Sequence, residues 1–319
     1  MLPGNTASRT LSKDVWAYLA LTYGFAWVMW IAAIKAHLGE EWLNIGTAGP
    51  ALAAMFLASR RGAIGGRGEK TRWAWFIAWL VVCWMVLSLH YSWRGENKLA
   101  FHMRPLLILP ALLPAWVLSG AASRNTGVRD LMRRLVHRPN RWSLIAFFSF
   151  PAFMLIPAGI VRLFGGPLVW PQQSGTLPVV VAKALMFLGY NILFAAALEE
   201  PGWRGFLLDR LESRFSPLLS TMLVWLPWML WHGPLDHYRP VPFGLMNWLL
   251  VRVVFLIPLC IILTWFYNRS GRSIQSTVLF HASMNTFPFV LPYSMPAFGL
   301  LFVWAGYAVF NGRMGRRPS

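Results

Sequence analysis

Apolar runs of membrane length constrain a chain more than any other sequence feature. Backbone amides in hydrocarbon must be satisfied internally, which leaves very few architectures. This chain of 319 residues has ten such runs, near 15–34, 45–59, 73–92, 103–121, 142–164, 178–200, 217–232, 245–267, 275–289 and 297–311. Most reach or approach the roughly 20 residues that a spanning helix needs. The second and ninth are short, and are expected to be re-entrant or partly buried. Composition agrees: 57% of residues are hydrophobic and 13% are charged, against roughly 25% charged in soluble domains. The expected fold class is all-α, a polytopic transmembrane helical bundle of roughly 8–10 spans.

The net charge is +18, from 29 basic and 11 acidic residues. In a soluble protein that excess would point to nucleic acid. Here the arginines sit in short connections between apolar runs, the pattern of cytoplasmic loops, so the expected partner is membrane lipid and not nucleic acid. Both termini and the Arg-rich connections are assigned to the cytoplasm. Cys83 and Cys260 lie inside apolar runs, which argues against a disulfide framework or metal cluster. The polar MLPGNTASRTLSKD segment leads into a run without a small-residue cleavage site, read as an uncleaved first span. In the connection SRNTGVRDLMRRLVHRPNRW, Val128, Leu131, Met132 and Leu135 fall at helical spacing beside arginines, which predicts an interfacial helix lying on lipid. Residues 1–141 are read as N-terminal helices with basic loops, 142–311 as a second helical core and 312–319 as a basic tail.

Among the acidic residues, two stand apart. In AAALEEPGWRGF, Glu199 and Glu200 join an apolar run without a polar spacer. A carboxylate at bilayer depth costs about 2.5–3.5 kcal/mol on insertion scales. An i,i+4 ion pair with Arg204 accounts for Glu200 and leaves Glu199 unexplained. Pro201 lacks an N–H and opposes a continuous helix, so a kink or break with a wet pocket is expected beside Glu199. There, partial desolvation would raise the Glu199 pKa and make it a better base.

Of seven histidines, His37, His90, His102 and His137 read as solvated or interfacial, and His237 beside Asp236 as loop chemistry. His232, in WLPWMLWHGP, follows Trp228 by one helical turn; a place in an interfacial tryptophan belt accounts for it equally. His281 and Asn285, in STVLFHASMNTF, share one helical face, where polar contact between helices is the plain alternative. Together these residues comprise a carboxylate, two imidazoles and a carboxamide, the parts for activating water and holding an oxyanion.

EEPGWR, WMLWH and HASMN, in that order, resemble the E-E-x-x-x-R, aromatic-x-x-x-H and H-x-x-x-N motifs of the CaaX-protease and bacteriocin-processing (CPBP) family. That family includes the eukaryotic endopeptidase acting on prenylated CaaX proteins. Trp228 stands where Phe is commoner. The resemblance covers roughly residues 178–290, within the 142–311 core, and implies an intramembrane glutamic endopeptidase. Glu199 and His232 would bind and activate a water, His281 and Asn285 would stabilise the oxyanion, and Glu200 and Arg204 would support them. The resemblance implies a membrane-associated or lipidated protein or peptide as substrate, and a bacterial plasma membrane suits the chain. No cofactor is expected. Family members have also been described as metalloproteases, and a zinc alternative would draw on Glu199, His232 and His281; the H-E-x-x-H helix is missing.

Two other functions remain in view. One is a non-catalytic membrane protein that binds a partner or confers bacteriocin immunity. The other is a proton-coupled transporter using Glu199, which the lack of an internal repeat disfavours. The catalytic reading makes one geometric demand. His232 lies at the far end of its run, so Glu199 must sit well inside the sixth span, which requires helix to continue past Gly205 to about Leu211.

Overall fold

The computed structural model describes residues 4–65, 69–93, 101–136, 138–171, 175–238, 244–294 and 297–316. Every apolar run coincides with helix. In chain order the helices are α1 (Gly4–Lys35), α2 (Glu40–Thr47), α3 (Gly49–Ser59), α4 (Glu69–Trp93), α5 (Ile108–Ser119), α6 (Thr126–Arg133) and α7 (Arg141–Leu163). They continue with α8 (Leu177–Glu212), α9 (Pro217–Trp231), α10 (Gly233–Tyr238), α11 (Leu250–Arg269, entered directly from a short helix at Gly244–Leu249), α12 (Ile274–Thr286) and α13 (Ala297–Asn311). Among the described residues, six helices are long and apolar enough to cross a membrane: α1, α4, α5 with its flanking turns, α7, α8 and α11. Two shorter apolar helices, α9 and α13, join them. The chain is an all-α polytopic bundle.

Burial sorts these helices. In α5, 61% of the apolar window is inside the protein, against 17% in α4 and 22% in α7; the outer helices present bare apolar side chains, as lipid-facing surfaces do. The two short runs are core elements. The second is divided at Ala48 into α2 and α3, and α3 is largely buried. The ninth is α12, whose residues are mostly buried. Small hydroxyls tie α12 to α7: Ser143 Oγ lies 3.2 Å from Ser276 Oγ, and Ser283 donates to the Phe147 carbonyl at 2.9 Å. Asn191 on α8 donates to Thr286 on α12 at 3.1 Å. Such bonds hold helices together in hydrocarbon, where burial of apolar surface gives no advantage over lipid.

Two expectations are corrected. Pro201 does not break its helix. α8 runs through it, with π-helical turns at Asn191–Ala196 and Trp203–Leu208 on either side. Turns of this kind insert an extra residue and change the hydrogen-bond spacing, which accommodates the missing N–H without a break. Nor does the amphipathic segment lie on lipid. Val128, Leu131, Met132 and Leu135 are all buried in the protein core. α6 is capped by Asn125, whose side chain accepts from the Val128 N–H at 3.1 Å and donates to the Ser59 and Gly62 carbonyls. A periodic apolar stripe shows which side is covered, not what covers it.

α1 and α3 pack on the middle of α8. A Cβ at Gly202 would fall 2.5 Å from both the Pro50 carbonyl oxygen and the Tyr18 hydroxyl, so only glycine lets the three helices approach so closely. α1 also braces the end of α9. Tyr23 donates to the Pro227 carbonyl at 2.5 Å and Trp27 to the Trp231 carbonyl at 3.0 Å, the second an acceptor that a helix C-terminus leaves open.

Candidate active site

Both glutamates of EEPGWR are buried. Glu200 is wholly inaccessible and its Oε1 accepts twice, from Arg204 at 2.9 Å and from the Nδ1–H of His281 at 2.8 Å. The Arg204 guanidinium, equally buried, lies over the Trp228 ring at 4.5 Å and reaches Cys260 Sγ at 3.5 Å. A buried carboxylate is tolerated when a cation and further donors meet it. The pair predicted for Glu200 is therefore present, and His281 joins it.

Glu199 is held differently. Its Oε2 accepts from the Trp228 indole N–H at 2.7 Å, and no cation bonds it among the described residues. It is 5% exposed. Trp228 is also the common neighbour of the other groups. His232 stands one turn on, with its ring 5.9 Å away and its Nδ1–H donating to the Trp228 carbonyl at 2.8 Å. The His281 ring meets Trp228 edge-on at 5.5 Å. In both histidines Nδ1 is committed as a donor, so Nε2 is the nitrogen left for a ligand. Trp231 packs against His232 at 4.9 Å and against Trp203 of α8 at 5.8 Å, closing the ring's outer side.

Helix register produces this meeting. α8 and α9 form a tight antiparallel hairpin between Glu212 and Pro217. Glu199 stands about four turns before the hairpin, and His232 about four turns after it. The continuation of α8 past Gly205 supplies the depth that the catalytic reading demands.

Asn285 is half-buried on the same face of α12, one turn beyond His281, and makes no hydrogen bond to the other five residues. Glu199 and His232 likewise bond to Trp228 and not to each other. The zinc alternative would draw on Glu199, His232 and His281, whose engaged atoms are Oε2 and the two Nδ1 nitrogens; among the described residues no group of three His, Cys, Asp or Glu side chains is arranged to hold a metal.

Elsewhere, His90 is not interfacial. It is buried and stacked on Tyr190 at 4.1 Å. Asp236 is not a plain loop residue, since Trp248 donates to it at 2.7 Å and Arg252 grips both its oxygens. His137 and the side chain of His102 lie outside the described residues. Sequence reasoning missed Trp228 as the hub. The available signal was its one-turn spacing from His232. Nothing local marked Tyr23 or Trp27, because their partners are backbone carbonyls on a distant helix.

The family model described as type II CAAX prenyl endopeptidase Rce1-like matches residues 181–287, which contain all six candidate residues. The chain is also similar to CAAX prenyl protease 2 of Methanococcus maripaludis, with 29% identity over 223 residues, covering 66% of this chain and 78% of the relative. With six membrane-length helices beside them, these matches describe an integral-membrane endopeptidase and support membership of the CPBP family of CAAX proteases and bacteriocin-processing proteins.

Proposed function

We propose that this protein hydrolyses a peptide bond in a lipidated or membrane-associated protein or peptide, using Glu199 and His232 to activate water and His281 with Asn285 to hold the oxyanion. The supporting observation is the convergence on Trp228 of Glu199 from α8, His232 from α9 and His281 from α12.

Each group has a part that its contacts allow. Glu199, bonded by a neutral donor and facing no counter-cation bond, keeps a carboxylate oxygen for the proton of an attacking water. His232, anchored through Nδ1, offers Nε2 to the same water. As the water oxygen bonds to the substrate carbonyl carbon, its proton passes to Glu199 and negative charge collects on the carbonyl oxygen. Asn285 donates an amide N–H to that oxygen without changing charge, and His281 donates from Nε2 when it carries a proton there. Glu200 and Arg204 fix the His281 ring from behind. Return of the proton to the leaving nitrogen breaks the bond. Preorganised donors of this kind are worth most where water is excluded.

The proposed chemistry uses no metal. The proposed orientation has both termini on the cytoplasmic side, as the arginine distribution favours. Lipidated CaaX proteins are the substrate class that the comparisons suggest. A peptidomic comparison of cells carrying wild type or Glu199→Ala tests the proposal. Longer precursors should accumulate in the variant, and identical peptide pools would contradict it.

A further inference from the structure

Outside the cluster around Trp228, a cavity of about 550 Å³ opens where α11 and α13 end, lined by Trp265, Asn268, Arg269, Asn311, Gly312 and Arg313. Its chemistry is one-sided. Arg269 donates to the Asn311 carbonyl at 2.6 Å and to the Asn311 side chain, which closes the last turn of α13. The Arg313 guanidinium has no protein partner among the described residues. Glu212, which accepts from the lining Asn268 amide at 2.7 Å, is already neutralised by Arg272 at 3.0 Å. Cationic donors are therefore in excess.

Two buried groups aim at what is missing. Trp265 is 6% exposed and its indole N–H has no acceptor among the described residues. A Cβ at Gly312 would stand 2.9 Å from Trp265 Cδ1, so the glycine leaves the nitrogen-bearing edge of the indole open to the cavity. Asn268 Oδ1 is buried without a donor among the described residues. Its orientation is fixed, because the other end of the amide donates to a carboxylate, which only accepts. The cavity thus calls for a ligand with acceptor oxygens for Trp265, Arg269 and Arg313 and a hydroxyl for Asn268. Val303, Tyr307 and Phe310 form an exposed apolar stripe on α13, and the Tyr307 ring lies 5.9 Å from Trp265. The stripe leads into the polar cavity.

We propose that this cavity holds the headgroup of an anionic phospholipid: its phosphate between Arg269 and Arg313 with the Trp265 N–H donating, a headgroup hydroxyl on Asn268 Oδ1, and its acyl chains along Val303, Tyr307 and Phe310. Basic pockets at the ends of transmembrane helices suit such headgroups. This site is independent of the proteolytic reading.

Native mass spectrometry of the delipidated full-length protein, after exposure to phosphatidylglycerol or phosphatidylcholine, tests it. Wild type should retain phosphatidylglycerol about tenfold better, and Trp265→Phe or Arg313→Asn should each remove about tenfold in retention. Trp265→Phe keeps the ring packing, and asparagine suits the left-handed backbone at Arg313 (φ 48°). Thermal melts would show that both variants fold. Equal retention of the two lipids, or wild-type retention in both variants, would overturn the proposal. Stabilisation by inorganic phosphate without any by phosphatidylglycerol would also overturn it, assigning the cavity to a soluble anion.

Discussion

α8 carries two pairs of carboxylates, Glu199 with Glu200 and Asp209 with Glu212, and the protein treats them differently. Around the second pair every carboxylate oxygen is met. Asp209 pairs with Arg134 at 2.8 Å, with Arg272, and with the Tyr267 hydroxyl at 2.7 Å. Glu212 accepts from Asn268 at 2.7 Å and Arg272 at 3.0 Å. Arg134, Asp209 and Arg272 are 28%, 23% and 42% exposed at their side chains, so water screens them. This cluster joins α6, α8, α11 and the turn before α12. Around the first pair, Glu200 is compensated by Arg204 and His281, while Glu199, almost fully buried, has among the described residues only a neutral indole N–H. A carboxylate surrounded by cations is a strut. One held in place but left short of charge partners can still exchange a proton with a ligand. The count of charge partners, more than depth, separates the two.

Substitutions that remove charge and keep shape sharpen this contrast. Glu199→Gln should lower kcat by about 10²- to 10⁴-fold, the range for a positioned general base, measured on a prenylated reporter peptide. Asn285→Ala comes next, with kcat down about 100- to 1,000-fold and little change in KM, as for an oxyanion donor. Trp228→Phe removes one hydrogen bond to Glu199 and keeps the ring against His232 and His281, so kcat should fall by about tenfold or less. A loss as large as that of Glu199→Gln would move the chemistry onto Trp228. Asp209→Asn should leave kcat near wild type and cost about 1–2 kcal/mol in unfolding, the buried-pair penalty discounted for solvent screening. If Asp209→Asn stops catalysis in a folded protein, the division between strut and site fails.

Much of the site was visible in the amino-acid sequence, because its residues lie on three segments whose spacing is local. Glu200 and Arg204, Trp228 and His232, and His281 and Asn285 are all one-turn pairs, and a turn is the interval that a linear pattern reports. The long-range choices were not visible. The His281 bond to Glu200, the Asp209 cluster with Arg134 and Arg272, and the notch at Gly202 that admits Pro50 and Tyr18 depend on packing between distant segments. The break allowed for at Pro201 does not occur, because the proline rule assumes regular α-helix, and π-helical turns on either side change the spacing. α6 was placed on lipid for a related reason: its apolar stripe fits a membrane surface or a protein core equally well.

The central claim is that Glu199 is the base of a single hydrolytic site. Cleavage of a prenylated CaaX peptide in ¹⁸O-labelled water, by wild type and by a Glu199→Gln protein of matched thermal stability, tests it most directly. The account predicts one labelled oxygen in the new C-terminal carboxylate with wild type and almost no cleavage with the variant. Cleavage at the wild-type rate by Glu199→Gln would contradict it.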